Sequence, residues 1–289
     1  MGYKCFDVQI DNKVARIILN RPDKRNSMIP EFWDELPAIV EEIDGGSKAR
    51  VIVISSTGPH FCAGLDLSAF GGGVAGPELS DEQKRQRRLT RGASFYSNVR
   101  RMQRSLSCLE EARIPVLAAI QGGAIGGGVD LVTACDIRYA TQDAFVCIQE
   151  INIGMTADVG TFPRLVKLIP EGVVRELAYT GRRMPAAEAQ AVGLINQVFP
   201  DQKSMLEGVM DVAHQIAEKA PLAVYGSKRM ITYARDHSTA DGLDYIGIWN
   251  ASFLQPEEMG EAMAANAQKR EGDFVELPPI RKSQTDDIF

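Results

Sequence analysis

Between Gly122 and Asp158 the chain reads GGAIGGGVDLVTACDIRYATQDAFVCIQEINIGMTAD, a glycine-rich apolar turn followed by carboxylates at Asp130, Glu150 and Asp158. Three consecutive glycines ahead of VDLVTA predict a strand-to-helix turn, where missing side chains let a ligand approach the backbone. The first amides of a helix lack internal partners and sit at the positive end of its dipole, so they suit an anionic oxygen. Asp130 falls in the first turn of that helix. The dipole favours its ionised form, whereas burial raises its pKa. A second glycine-bearing turn lies upstream, where the apolar run VIVIS (51–55) reads as a buried strand ending in STGPHFCAGLDL. Opposed across a pocket, two such turns supply two N–H donors to one carbonyl oxygen as it gains negative charge. Each donor is worth on the order of 3 kcal/mol in a mature oxyanion hole.

Longer motifs carry a resemblance. VARIILNRPDKRNSM (14–28), FCAGLDL (61–67), IPVLAAIQGGAIGGGVDLVTACDIRYA (114–140) and FPRLVKLIPEGVVRELAYTGRRMPAAEAQAVGLINQVFP (162–200) resemble the enoyl-CoA hydratase/isomerase (crotonase) superfamily, which binds acyl-CoA thioesters and stabilises their enolates. The resemblance implies oxyanion amides at Ala63 and Gly127 and acid/base positions at Asp130 and Glu150. Hydratases of the superfamily usually carry glutamate at both acid/base positions, and here the first is aspartate. They usually carry glycine where this chain has Asp158, in TADVGT; the dienoyl-CoA isomerases of the superfamily carry aspartate there. The spacings, twenty residues from Asp130 to Glu150 and eight to Asp158, match that isomerase triad.

The activity so implied is conversion of a 3,5-dienoyl-CoA to a 2,4-dienoyl-CoA in fatty acid beta-oxidation. Glu150 would exchange the proton at the alpha carbon and Asp158 the one at the distal carbon, with Asp130 in support. No cofactor is expected beyond the CoA of the substrate. Two alternatives stand beside this reading: an enoyl-CoA hydratase in which Asp158 is structural, and a non-catalytic acyl-CoA-binding scaffold.

Taken singly, each residue has a structural reading. Asp130 can simply complement the helix dipole, Glu150 can be an exposed strand-end carboxylate, and Asp158 can cap a helix starting near Phe162 with Pro163 in its first turn. Gly71, Gly73 and Gly76 satisfy G-x-G-x-x-G, but Pro77 follows and no strand-turn-helix frames them, so a dinucleotide site is not expected. Cys5, Cys62, Cys108, Cys135 and Cys147 show no CxxC spacing and read as reduced thiols. Cys62 reads as a packed small residue, and His60 as a solvated turn residue. His60, His214 and His237 are scattered, so no metal is predicted.

A formal net charge of −6 gives no general attraction to nucleic acid, so phosphate contacts must come from local cations. The cluster Lys84, Arg85, Arg87, Arg88 and Arg91 reads as a solvated helix face beside Asp81 and Glu82. Lys24, Arg25 and Lys269 are the CoA contacts implied by the resemblance. MGYKCFDVQ lacks the apolar core of a signal peptide, no stretch is long enough to span a bilayer, and DDIF is not a peroxisomal signal; the expectation is a cytoplasmic protein without a membrane partner.

Strand-like runs VARIILN, ARVIVIS, VLAAIQG and IRYATQDAFVCI alternate with helical segments, which predicts an α/β core. The resemblance makes this a crotonase-like spiral of β-β-α units over residues 1–200, followed by a helical C-terminal oligomerisation region and tail over 201–289. MLEGVMDVAHQIAEKA sets Met205, Leu206, Val209, Val212, Ile216 and Ala217 along one apolar face, which packs either within the chain or between subunits. A homotrimer or homohexamer is implied. Phe70, Phe95, Tyr96 and Met102 are candidates to touch the acyl chain.

Overall fold

The computed structural model describes residues 2–68 and 79–280. Phe70 and the 71–76 glycine pattern therefore lie outside the described residues. The chain opens with a hairpin, β1 (Phe6–Asp11) and β2 (Val14–Leu19), turned by Asn12 and Lys13, both at positive φ. Two residues in that conformation match the right-handed twist of the strands they join. The remaining strands of the main sheet are β3 (Val51–Ser56), β4 (Val116–Ile120), β6 (Ile137–Thr141) and β9 (Gln197–Phe199), and the sheet runs β1-β2-β3-β4-β6-β9. Every pairing after the hairpin is parallel. A second sheet orders β5 (Gly123–Ile125), β7 (Phe145–Cys147) and β8 (Arg183–Pro185). The run IRYATQDAFVCI is thus two strands in two sheets, broken by a turn at 142–144.

The parallel strands are buried on both faces, which is why they read as continuous apolar runs. On β3, Ile52 and Ile54 join the larger core, while Val51 and Val53 face the other way. That second face is covered by the C-terminal helix Gln202–Ala217, through Met205, Val209, Ala213 and Ala217 at four-residue spacing. The 205–217 stripe is therefore intramolecular packing. Asp201 caps this helix, its side chain accepting from the Ser204 amide.

Crossovers supply the other layers: α1 (Phe32–Val40) links β2 to β3, and α2 (Asp81–Glu111) leads from β3 towards β4. Helix α2 starts in a capping box between Ser80 and Gln83. Only its second half is buried, through Val99, Met102, Leu106 and Leu109. Its first half is exposed, with Lys84 and Arg85 paired to Asp81 and Glu82 one turn back. The helix that follows the glycines, α3 (Gly127–Ala134), is buried along nearly its whole length.

Candidate active site

Three backbone segments converge on the N-terminus of α3. Residues 61–65 pair with 123–125 on one side, Cys62 bridging Ala124, and with Met28 on the other, Met28 bridging Leu65. Asn26 ties the 21–28 turn to this frame: its side-chain amide donates to the Thr57 and His60 carbonyls at 2.7 and 2.9 Å. His60 is part of the frame, its Nδ1 accepting from the Gly123 amide at 2.9 Å. It is not the free turn residue expected from the sequence.

The glycines are demanded by this crowding. Gly126 has φ +53° and ψ −118°, a backbone region closed to residues with a Cβ, and an added Cβ would meet Glu150 Oε1 at 3.2 Å. At Gly127 a Cβ would lie 2.8 Å from the Met28 sulfur, and at Gly128 2.8 Å from the Cys62 carbonyl. Gly64, at φ +80°, sits so close to the facing turn that a Cβ would be 2.7 Å from the Ile125 carbonyl and 3.2 Å from the Gly127 amide nitrogen.

One expected donor is already engaged within the fold. The Ala63 amide donates to the Arg25 carbonyl at 3.0 Å, so it is committed to the frame and closed to a ligand. Met28 N donates to Gly64 O, and Asp66 N donates to Met28 O. A trans peptide points its N–H opposite to its C=O, so the Leu65 N–H is directed away from Met28. The Leu65 and Gly127 amides make no hydrogen bond with any described residue.

Around these amides lie the three carboxylates. Asp130 is 1% exposed, and its Oδ1 accepts from both the amide and the hydroxyl of Thr161, at 2.6 and 2.8 Å. Burial first, then the charge of Glu150, raises its pKa to about 7, against the pull of the Thr161 donors. Glu150 stands on a short 3-10 turn, Gln149–Ile153, not at an exposed strand end. Its Oε2 is buried and has no hydrogen-bond partner among the described residues. Burial and the charge of Asp158 raise its pKa.

Asp158 caps no helix: the following helix, α4 (Thr161–Leu165), takes Gly160 as its N-cap and has no side-chain cap. Its carboxyl is raised by burial, and its carbonyl accepts from Gln103 Nε2 at 2.6 Å. A cavity of about 730 Å³ touches the site at Asp158 and runs between Gln103, Phe162, Tyr225 and Arg229. Gln103, Thr161 and the Leu65 amide were not singled out in the sequence. Thr161 alone had a signal there, as the last residue of TADVGT.

Lys24 and Arg25 are exposed on the turn whose Arg25 carbonyl holds Ala63, next to the glycine frame. Lys269 is exposed at the C-cap of the helix Pro256–Gln268. Phe95 and Tyr96 point to solvent, and Met102 belongs to the core. The Cys62 thiol is buried, donates to the Asn26 carbonyl at 3.2 Å and has its pKa pushed up to about 12, as befits a packed thiol. Among the described residues no His/Cys/Asp/Glu group is arranged to hold a metal, and no helix is long and apolar enough to cross a membrane.

Residues 9–276 match the family model described as enoyl-CoA hydratase/isomerase. The human protein named Delta(3,5)-Delta(2,4)-dienoyl-CoA isomerase, mitochondrial, is 41% identical over 261 residues, covering 89% of this chain and 77% of that one. The Arabidopsis thaliana protein named Delta(3,5)-Delta(2,4)-dienoyl-CoA isomerase, peroxisomal, is 36% identical over 279 residues, 96% and 99% of the two chains. In three dimensions, the enoyl-CoA hydratase of Bacillus anthracis superposes with a TM-score of 0.81 at 29% identity, over 94% of this chain and 99% of that one. The names of the two relatives place them in mitochondria and peroxisomes, which overturns the expectation of a cytoplasmic protein.

Proposed function

The chain belongs to the enoyl-CoA hydratase/isomerase family, and from that premise we propose that it isomerises 3,5-dienoyl-CoA thioesters to 2,4-dienoyl-CoA in fatty acid beta-oxidation. The observation that carries this reading is the placement of Asp158: it caps no helix, and its charge is felt by Glu150. A hydratase needs acid and base at neighbouring carbons. A dienoyl isomerase must take a proton from the alpha carbon and return one to the epsilon carbon, four bonds away, so it needs carboxyls at both ends.

In the proposed reaction the thioester oxygen lies against the Leu65 and Gly127 amides, with Leu65 replacing Ala63 as the first donor. Glu150, ionised, removes the alpha proton. The electron pair moves into a dienolate whose oxygen the two amides hold, and electrostatic stabilisation of that oxygen is the largest single effect available to such a site. Asp158, protonated, delivers its proton to the epsilon carbon; the double bonds now stand at 2,4, and one proton must return from Glu150 to Asp158 before the next cycle. Two neighbouring half-buried carboxyls resist ionising together, so one proton shared between them is the state such chemistry requires. Bond-making and bond-breaking balance without a cofactor. Lys24 and Arg25 are proposed for the CoA phosphates. Lys269 is proposed for that role from a neighbouring subunit.

The proposal includes a homotrimer or homohexamer, and a division into a core over 1–200 and a helical region over 201–289. It is supported by exposed apolar side chains on the last helices, among them Leu243, Ile246 and Phe253 on one stripe of Thr239–Phe253. The decisive assay follows the ultraviolet absorbance of 2,4-dienoyl-CoA formed from synthetic 3,5-dienoyl-CoA, alongside hydration of a 2-enoyl-CoA. The expected result is rapid isomerisation that falls by two or more orders of magnitude in Asp158→Asn. Hydration indifferent to Asp158, with no dienoyl turnover, would sink the isomerase in favour of a hydratase, and binding without either product would leave a scaffold.

A further inference from the structure

Asp130 and Asp158 are served by one short segment. From Asp158, the chain runs through Val159 and Gly160 to Thr161, whose amide and hydroxyl both donate to Asp130 Oδ1 at 2.6 and 2.8 Å. Thr161 and Asp130 are each 1% exposed. No described residue hydrogen-bonds Asp130 Oδ2.

The segment cannot readily swing. Gly160 has φ +142°, and a Cβ there would lie 1.8 Å from Arg164 Nη1, so the guanidinium packs directly over it. Arg164 is in turn anchored on α2, by Glu110 at 2.6 Å and Ser107 at 3.1 Å. Gln103, also on α2, holds the Asp158 carbonyl. The segment is thus fixed to α2 at both ends.

We infer that Thr161 is a positioning residue for the reaction, saturating Asp130 Oδ1 so that this carboxyl takes up and releases a proton only at Oδ2. Two donors on one oxygen leave no low-energy site for a third hydrogen there. They also favour the ionised form, since hydrogen bonds to a charged acceptor are the stronger kind. The other groups bearing on Asp130 are Glu150, whose charge opposes ionisation, and Arg164, whose charge favours it. The Cys62 thiol also faces it and stays protonated. Thr161 therefore tunes how much negative charge stands beside Glu150 when the alpha proton moves. As a role in catalysis this rests on the isomerase reading; as a statement about Asp130 ionisation it does not.

The test separates the two. In a Glu150→Gln background, which removes the coupled titration, Asp130 is followed by carbon-13 carboxyl NMR and assigned by its loss in Asp130→Asn. Thr161→Val deletes the hydroxyl and keeps the amide, and is expected to raise the Asp130 midpoint by about one to two pH units. Thr161→Ser should restore it. With Glu150 present, the pH limb of kcat should move in the same direction while KM holds. An unchanged midpoint in folded Thr161→Val, or in Thr161→Ala should the valine variant not fold, overturns the inference. Wild-type protein that fails to isomerise a 3,5-dienoyl-CoA would refute the isomerase reading and leave the NMR result standing.

Discussion

Replacing Gly64 with alanine tests the donor pair without removing a single polar atom. At φ +80° an alanine carries a steric cost of roughly 1–2 kcal/mol from its own backbone. Its Cβ would also lie 2.7 Å from the Ile125 carbonyl and 3.2 Å from the Gly127 nitrogen. Both are backbone atoms, so no side chain can rotate aside, and the 64–65 peptide must retreat from the 125–127 turn by some tenths of an ångström. That peptide carries the Leu65 N–H. An oxyanion donor acts within about 2.7–3.1 Å of the charge it stabilises, and losing one costs about 10²–10³ in kcat, or roughly 3–4 kcal/mol. Gly64→Ala is therefore expected to lower kcat for 3,5-dienoyl-CoA by about two orders of magnitude, with a much smaller change in KM. Its melting temperature should fall by several degrees. Gly92→Ala is the control: Gly92 lies in the exposed half of α2 with nothing within 4 Å of its Cβ position, and alanine there should leave kcat unchanged. A folded Gly64→Ala enzyme with kcat within threefold of wild type would refute the assignment of the Leu65 amide.

Asp130→Asn should reveal what burying that carboxyl costs. Its pKa is about 7 in the fold against roughly 3.9 unfolded, so the native state binds more protons between those values. The stabilising contribution is full below about pH 4 and is lost as pH rises through 7, a difference of up to about 4 kcal/mol. The melting temperature of Asp130→Asn relative to wild type is expected to climb between pH 4 and 8; a variant-minus-wild-type difference that stays flat or falls over that range contradicts the assignment. Leu243→Glu places a charge on the exposed apolar stripe of Thr239–Phe253. By light scattering it should shift the oligomer toward smaller species without unfolding it, and an unchanged mass would remove this stripe from the subunit contact.

How much could be read from the sequence depended on the range over which each feature is determined. Val51 to Ser55 declared a buried strand because both faces of a parallel sheet are covered, and the 205–217 stripe declared a helix through its own periodicity. What covers that stripe was undecidable locally: the answer is β3, β4 and β6 of the same chain, distant in sequence. Asp158 looked like a cap because Pro163 sits in the next helical turn. The helix instead begins at Thr161 with Gly160 as its cap. Arg164 occupies the space beside Gly160, and that contact is invisible to residue type.

The proposed reassignment of the oxyanion donor from Ala63 to Leu65 has the same origin. Within FCAGLDL every residue offers an identical amide, and the motif marks the loop without saying which peptide faces the pocket. That orientation is a register property, and register is set by pairing partners far along the chain: Cys62 with Ala124 on one side, Met28 with Leu65 on the other. Once the Gly64 carbonyl accepts from Met28, peptide planarity leaves the Leu65 N–H directed away from Met28. A shift of one residue in the pairing would reverse that amide as surely as it reverses side chains in a strand. In the proposed reaction the turn Arg21–Met28, with Asn26 fastening it to Thr57 and His60, thus serves catalysis without contributing a catalytic side chain. It fixes the register that leaves the Leu65 amide without a hydrogen-bond partner among the described residues.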